Sequence, residues 1–461
     1  ATLIDTEILA NSATFGGGLY ADQGSTVTTH SSTIRSNNGW DQGAGIFVRG
    51  ASAFSAKEGT VIGENRTPMD CEEGGGVYAD GVNTQVTIDA SQVLSNTALS
   101  RGGGLYIGGG AGATIQNGSS VEMNVAFGPV SGAGGGIHVS GTGSTLHVTD
   151  QSMIYYNFSD PVGGGIYNNG GTVHLNGAYL ILNDARDSGG GLYNTGGSVY
   201  ARDTWFYLNR VQTLDGGGLY SAGAGGTLDL ERCTIRSNTA PAGDGGGLYA
   251  SHPFSSVRES YFVDNEALGE GSALYLDGGC CTGNPAAEVV NSFIVDNSTA
   301  AVPRAMGPPG SGSSLHATDL AATLVHNTVA HKAQASFGVS AGPDSTVYMT
   351  NNILSGFAVG IRRPSGGTGT VTASYTFFHN NLFDYDTTGV SIFNPVYGNP
   401  AFVSSTDYHL TGTSDAINHG TNAGVAFDFD GESRPWGGGY DIGADEYPPR
   451  MRAFLPLAMR K

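Results

Sequence analysis

Apolar and polar residues alternate in short runs along most of the chain. "STVTTHSSTI" (25–34), "TQVTIDASQV" (84–93), "STLHVTDQSM" (144–153) and "GTLDLERCTI" (226–235) are β-branched-rich stretches of period two, bounded by Gly, Asn and Ser. Such runs predict strands of a few residues with one buried face. No 3.6-residue periodicity is sustained within them, so helices are not expected.

Two signals recur in step with the strands. The first is Gly-Gly-Gly-aliphatic-aromatic or a near variant, opening at Gly16, Gly43, Gly74, Gly102, Gly134, Gly163, Gly189, Gly216, Gly245 and Gly271. The second is an apolar residue, two arbitrary residues, then asparagine. It ends at Asn11, Asn37, Asn65, Asn96, Asn124, Asn157, Asn183, Asn209, Asn238, Asn265, Asn297 and Asn327. A period of about 26 to 33 residues calls for a solenoid. Three short strands and three turns in that length make one coil of a parallel β-helix, each strand pairing with its equivalent in the next coil.

The predicted fold is therefore all-β: a single parallel β-helix of roughly 13–14 coils, right-handed by the strand-crossover rule. At ~4.8 Å per coil the rod is roughly 65 Å long. Residues 1–400 are assigned to the coils, 401–449 to a C-terminal closing or capping segment, and 450–461 to an apolar-basic tail. The glycines are corners that a β-carbon would obstruct and that favour φ > 0. The aliphatic after each triplet points inward. The next residue points outward and builds an external aromatic ladder: Tyr20, Phe47, Tyr78, Tyr106, His138, Tyr167, Tyr193, Tyr220, Tyr249 and Tyr275. The asparagines are expected to form an inward ladder of stacked amides.

The pairing of Gly-Gly-x-aliphatic with apolar-x-x-Asn, as in "EGGGVYAD" (73–80) and "YFVDN" (261–265), resembles the repeats of chlamydial polymorphic outer-membrane proteins. More broadly it is similar to right-handed, pectin-lyase-like β-helix surface proteins. "YHLTGTSDAINHGTN" (408–422) and "DFDGESRPWGGGYDIGADEY" (428–447) resemble the segment closing bacterial β-helix proteins with variable C-terminal anchors. The resemblance implies an exported, surface-attached protein without assigned activity. The last residues, "MRAFLPLAMRK", look like tails on exported proteins of some filamentous bacteria.

Composition narrows the function classes. Of 461 residues 75 are Gly and 13% are charged, with a formal net charge of -20. Such a surface repels phosphate backbones and anionic lipid, which argues against nucleic-acid and membrane-surface partners and suits divalent cations. No apolar run approaches the ~20 residues of a membrane span. The chain begins at Ala1, which reads as a processed, extracellular or cell-surface product. Four cysteines in this length make no disulfide framework, although Cys280 and Cys281 are adjacent.

Polysaccharide lyases and hydrolases share the fold, and the fold alone does not assign their chemistry. The polygalacturonase-like runs "NTD", "GHG" and "RIK" and the lyase-like "RxPxxR" are missing, so a non-enzymatic protein is expected. Three features remain as candidate sites. Asp215, Asp244 and Glu270 precede consecutive glycine corners about 5 Å apart, and Asp428 and Asp430 lie in "DFDGES"; both groups are candidate Ca²⁺ ligands. Tyr193, Tyr220, Tyr249 and Tyr275 are candidate sugar contacts, since an aromatic face is apolar while its hydroxyl stays wet. Asn65, Asn157 and Asn297 match the N-glycosylation pattern, but their inward place argues against modification; Asn117 matches it too.

A coil without an amphipathic cap, together with the apolar-basic tail, suggests head-to-tail self-association into a fibre or sheath. The Pro/Gly/Ser-rich stretch 301–320 reads as a projecting loop. The function expected is thus a structural or adhesive surface protein whose partner is a second copy of itself or an extracellular polysaccharide. The alternative is a polysaccharide-binding or polysaccharide-degrading β-helix protein.

Overall fold

In the computed structural model the chain winds into a parallel β-solenoid with no helix among the described residues. Those are 1–67, 73–279, 285–299, 312–334, 336–364 and 368–447. Cys71, Cys280, Cys281, most of the 301–320 stretch and the 450–461 tail lie outside them. Every strand pairs in parallel with its counterpart one coil on. Sheet A starts at Thr2–Ile4 and has 15 strands, sheet B starts at Glu7–Leu9 and has 15, and sheet C starts at Leu19–Ala21 and has 14. A narrower fourth sheet of 8 strands lies in the connection from B to C.

The alternation explains the interior. In sheet B, Ile34, Ile62, Val93, Val121 and Ile154 are register partners and all fully buried. Burying each such side chain stabilises the coil by about 1.5–3 kcal/mol before entropy is subtracted. One coil cannot enclose these side chains alone; the neighbours above and below do it.

The triplet glycines divide their work. Gly216 has φ +69°, a left-handed conformation, whereas a Cβ on Gly217 would sit 2.5 Å from the Thr239 carbonyl oxygen and 2.6 Å from that of Gly246. The first glycine turns the corner; the second lets the next coil approach. The amides of Gly216, Gly217 and Gly218 then donate to the carbonyls of Asp244, Gly245 and Gly246.

The asparagines line the corner after sheet B. The residue before each is left-handed, as at Leu208 (φ 55°) and Ser237 (φ 52°). Asn238 donates its backbone N–H and its side-chain amide to Asn265 Oδ1, both at 3.0 Å, and the same amide to the Phe206 carbonyl at 2.8 Å. The pattern repeats at Asn37, Asn65, Asn96, Asn124, Asn157, Asn183 and Asn209. Asn265 donates to Asn297 Oδ1 at 2.9 Å.

Asn327 departs from that ladder. It stands at the corner between sheets A and B, where its Oδ1 accepts from the Ser292 N–H at 3.0 Å and its own amide donates to Asn352. That corner is otherwise lined by small hydroxyl residues such as Ser91, Ser119, Ser260 and Ser292. The free thiol Cys233 takes the same place, buried, with its pKa pushed up to about 12 by burial. An apolar residue of sheet A followed by a left-handed His326 reproduces the apolar-x-x-Asn spacing, and only the register tells the corners apart.

The C-terminal segment lies along the flank of the rod. Tyr408 and Ala444 pack on the outward side chains Val263, Phe293, Val295 and Ala330 of sheet B, and Leu410, Ala416 and Ile442 pack on Ile353 and Phe377. Hydrogen bonds from Tyr408 to Asp296, from Asn351 to the Thr421 carbonyl and from Ala444 to Thr328 fix it there. Inside, the fully buried pair Arg434–Glu446 is closed at 2.7 Å, and Arg434 also donates to the carbonyls of Gly443 and Ala444.

Candidate functional site

The aromatic ladder of sheet C is continuous. Rings from Tyr20 through Tyr275 to His316 stack in sequence, with Tyr193–Tyr220 at 4.7 Å, Tyr220–Tyr249 at 4.8 Å and Tyr249–Tyr275 at 5.0 Å. It is not the exposed row that alternation alone suggests. Phe47, Tyr78 and Tyr106 are buried, and Tyr193, Tyr220, Tyr249 and Tyr275 are half-buried with their faces against one another. Burial raises the pKa of these phenols, as at Tyr220. The Tyr249 hydroxyl donates to Asp277 at 3.0 Å. Ring faces committed to each other support the sheet, as cross-strand pairs do.

The acidic column beside this ladder extends the backbone hydrogen bonding. Asp215 Oδ1 accepts the Asp244 N–H at 2.8 Å, and Asp244 Oδ1 accepts the Glu270 N–H at 2.7 Å. Burial raises the Asp215 pKa, against the hydrogen bond from Asp244. Glu270 accepts from Ser313 and pairs with Arg362 at 3.0 Å. Arg362 lies over the Phe337 ring at the wall of an open cleft of about 630 Å³, where Arg363 donates to the Gly369 carbonyl. Glu270 thus reaches this cleft through Arg362, but its cations already have partners within the chain.

Among the described residues, Asp215, Asp244 and Glu270 do not form a group of three ligand-bearing side chains. Asp428 accepts backbone N–H bonds from Asp430, Glu432 and Glu446, so "DFDGES" is a turn built around its carboxylate. Asp430 alone of the five acidic candidates stands in such a group, with His409 and Asp445.

A local irregularity appears instead on the outer face of sheet A. Its central outward column reads Thr28, Ser55, Thr87 and Thr114 in successive coils, then His147, His174, Tyr200 and Asp229, then Ser256. The three rings stack at 4.7 and 5.2 Å. Tyr200 ends the stack: it is 39% exposed, and its register partner on the far side is the shorter Asp229. A hollow of about 300 Å³ opens there, lined by His174, Tyr200, Arg202, Asp229 and Glu231.

Arg202 is paired with Glu231 at the rim of this hollow. Asp229 Oδ1 and Ser256 Oγ, neighbours in register, are shielded and have no hydrogen-bond partner in the protein. Unmet polar atoms of this kind cost about 1–3 kcal/mol each. None of these residues belongs to a motif. Aligning the sheet A strands by period would have exposed the break from Thr/Ser to His-His-Tyr-Asp.

No protein-family model and no curated protein matches the chain. Among solved structures it is similar to the pectate lyase Pel9A, at 12% identity over 86% of this chain and 88% of that one, with a TM-score of 0.38. It is also similar to the A-module of the Azotobacter vinelandii mannuronan C-5 epimerase AlgE6, at 10% identity over 82% and 91%, TM-score 0.28. A third likeness is to the Dettilon tailspike protein, at 11% identity over 82% and 63%, TM-score 0.28. The strand pairing itself defines a parallel β-helix protein, and these likenesses carry no argument about its activity.

Proposed function

We propose that the protein is a non-catalytic, polysaccharide-binding rod of the cell exterior, with its glycan contact at the Tyr200 end of the ring stack. One observation carries this reading: a partly exposed tyrosine ring ends the stack at a hollow lined by Asp229, Arg202 and Glu231. A pyranose ring lays its C–H face on an aromatic ring and offers hydroxyls to such groups. The ligand class is a neutral, hydroxyl-rich chain. Asp229, Glu231 and the net charge of -20 disfavour polyuronates.

The test is a glycan array with the intact chain, followed by calorimetry on the strongest hit. Tyr200→Ala and Asp229→Ala should each abolish retention. Tyr348→Ala, an exposed tyrosine of the same column flanked by Thr323 and Thr372, should leave it intact. Equal retention by all variants, or cleavage products from a bound polysaccharide, would overturn the proposal.

Self-association is a second reading. The strands Phe383–Tyr385, Val390–Phe393 and Val396–Tyr397 close the series of all three sheets, and Phe383, Phe393 and Tyr397 are exposed. Negative-stain microscopy of the intact chain distinguishes the readings. Fibres lost on Phe393→Asp support self-association, and single rods at high concentration refute it.

A further inference from the structure

The C-terminal segment brings an imidazole and three carboxylates together from separate turns. His409 Nδ1 is 2.5 Å from Asp407 Oδ1, and its Nε2 is 3.1 Å from Asp430 Oδ2. Asp445 completes the group, with ligand atoms of His409, Asp430 and Asp445 within 4.8 Å of one another. Each is held from outside. Asp430 belongs to the turn organised by Asp428, Asp445 Oδ2 accepts the Leu410 N–H at 2.7 Å, and the Phe293 ring lies 4.9 Å from the imidazole.

Two observations go beyond a chance gathering of acids. The contact with Asp407 assigns the Nδ1 proton to that carboxylate and leaves Nε2 as the nitrogen that faces Asp430 and Asp445; histidine metal ligands are oriented this way. Nε2 is also shielded from solvent, with Asp430 Oδ2 at 3.1 Å.

We propose that His409 Nε2, Asp430 and Asp445 are protein ligands of a divalent transition-metal cation, with Zn²⁺ as the best fit, and that Asp407 positions the imidazole. One imidazole nitrogen with two carboxylate oxygens matches zinc, with water completing the shell. Calcium takes oxygen donors and gains nothing from the imidazole. The cation would tie the turns around 407–409 and 428–432 to the stretch 441–446, all of which lie against sheet B. It is a staple for the segment rather than a reaction centre. A proton on Nε2 is the competing occupant, giving an imidazolium between Asp407 and Asp430.

The experiment uses the intact chain freed of metal by a chelator and titrated calorimetrically with Zn²⁺, with Ca²⁺ in parallel. One equivalent of Zn²⁺ should bind and raise the melting temperature. His409→Gln and Asp430→Asn, each confirmed as folded by circular dichroism, should lose both effects. Asp407→Asn should weaken binding about 10- to 100-fold without removing the site. Co²⁺ should give the visible absorption of a low-coordinate nitrogen–oxygen site in the unsubstituted protein, a readout independent of the variants. No Zn²⁺ uptake, binding of Ca²⁺ alone, or Zn²⁺ uptake unchanged in both ligand variants would overturn the proposal.

Discussion

Asn238→Ala tests whether the amide ladder holds the coils together. Asn238 is fully buried, and its Oδ1 accepts from the backbone N–H and the side-chain amide of Asn209, both at 3.0 Å. Its own amide donates to Asn265 Oδ1 and the Phe206 carbonyl. The substitution removes all four bonds. The Asn209 side chain keeps a bond to the Leu180 carbonyl, so its backbone N–H is the group left buried without a partner.

That orphan costs about 1–3 kcal/mol, and the other lost bonds add roughly 0.5–1.5 kcal/mol each before relaxation, so the loss should be about 2–5 kcal/mol. A solenoid can open locally, so the assay combines urea unfolding with hydrogen exchange resolved by peptide. Exchange should accelerate first in peptides spanning 205–212 and 234–240. A loss below about 1 kcal/mol with unchanged local exchange would refute the ladder as a source of stability.

Three further outcomes follow from other parts of the rod. Gly217→Ala drives a Cβ into two backbone carbonyls and should cost more than about 2 kcal/mol, whereas Gly196→Ala, with φ +67° and nothing within 4 Å of its Cβ, should cost about 1–2 kcal/mol; equal melting temperatures would contradict the close-approach argument. Burial raises the Asp441 pKa to about 6, so its protonated form stabilises the fold most below the unfolded value of about 3.9. That contribution is lost as pH rises through about 6, and the melting temperature of Asp441→Asn should fall less between pH 4 and 7 than that of the unsubstituted chain. Tyr220→Leu should lower the melting temperature without changing glycan retention, because its ring faces are occupied by Tyr193 and Tyr249; lost retention would return the sugar contact to sheet C.

The parallel coil path, its period and the inward or outward side of most positions were legible in the sequence, because each repeat presents the same alternation and the same glycine triplet. The inward aliphatic at Leu219 and the inward amide at Asn238 follow from strand parity and repetition alone. The reading failed where two positions share one local pattern. Asn327 has the right spacing yet stands at the other corner, since the pairing of 321–325 with 286–290 sets its register. Parity correctly aimed the aromatic ladder out of the core. It could not report that adjacent coils bring the rings face to face and close off Phe47, Tyr78 and Tyr106.

The candidate sites divide in the same way. The His147–His174–Tyr200–Asp229 column is written in the repeat but appears only after strands of unequal connecting length are brought into register. His409, Asp430 and Asp445 carry no repeat signal and meet through turns distant in sequence. The sequence by itself determined the coil, because its signals are local and recur at a period matched to one turn of chain. Only the tertiary structure decided which faces stay open and where residues 401–447 lie, because those depend on packing between segments that share no period.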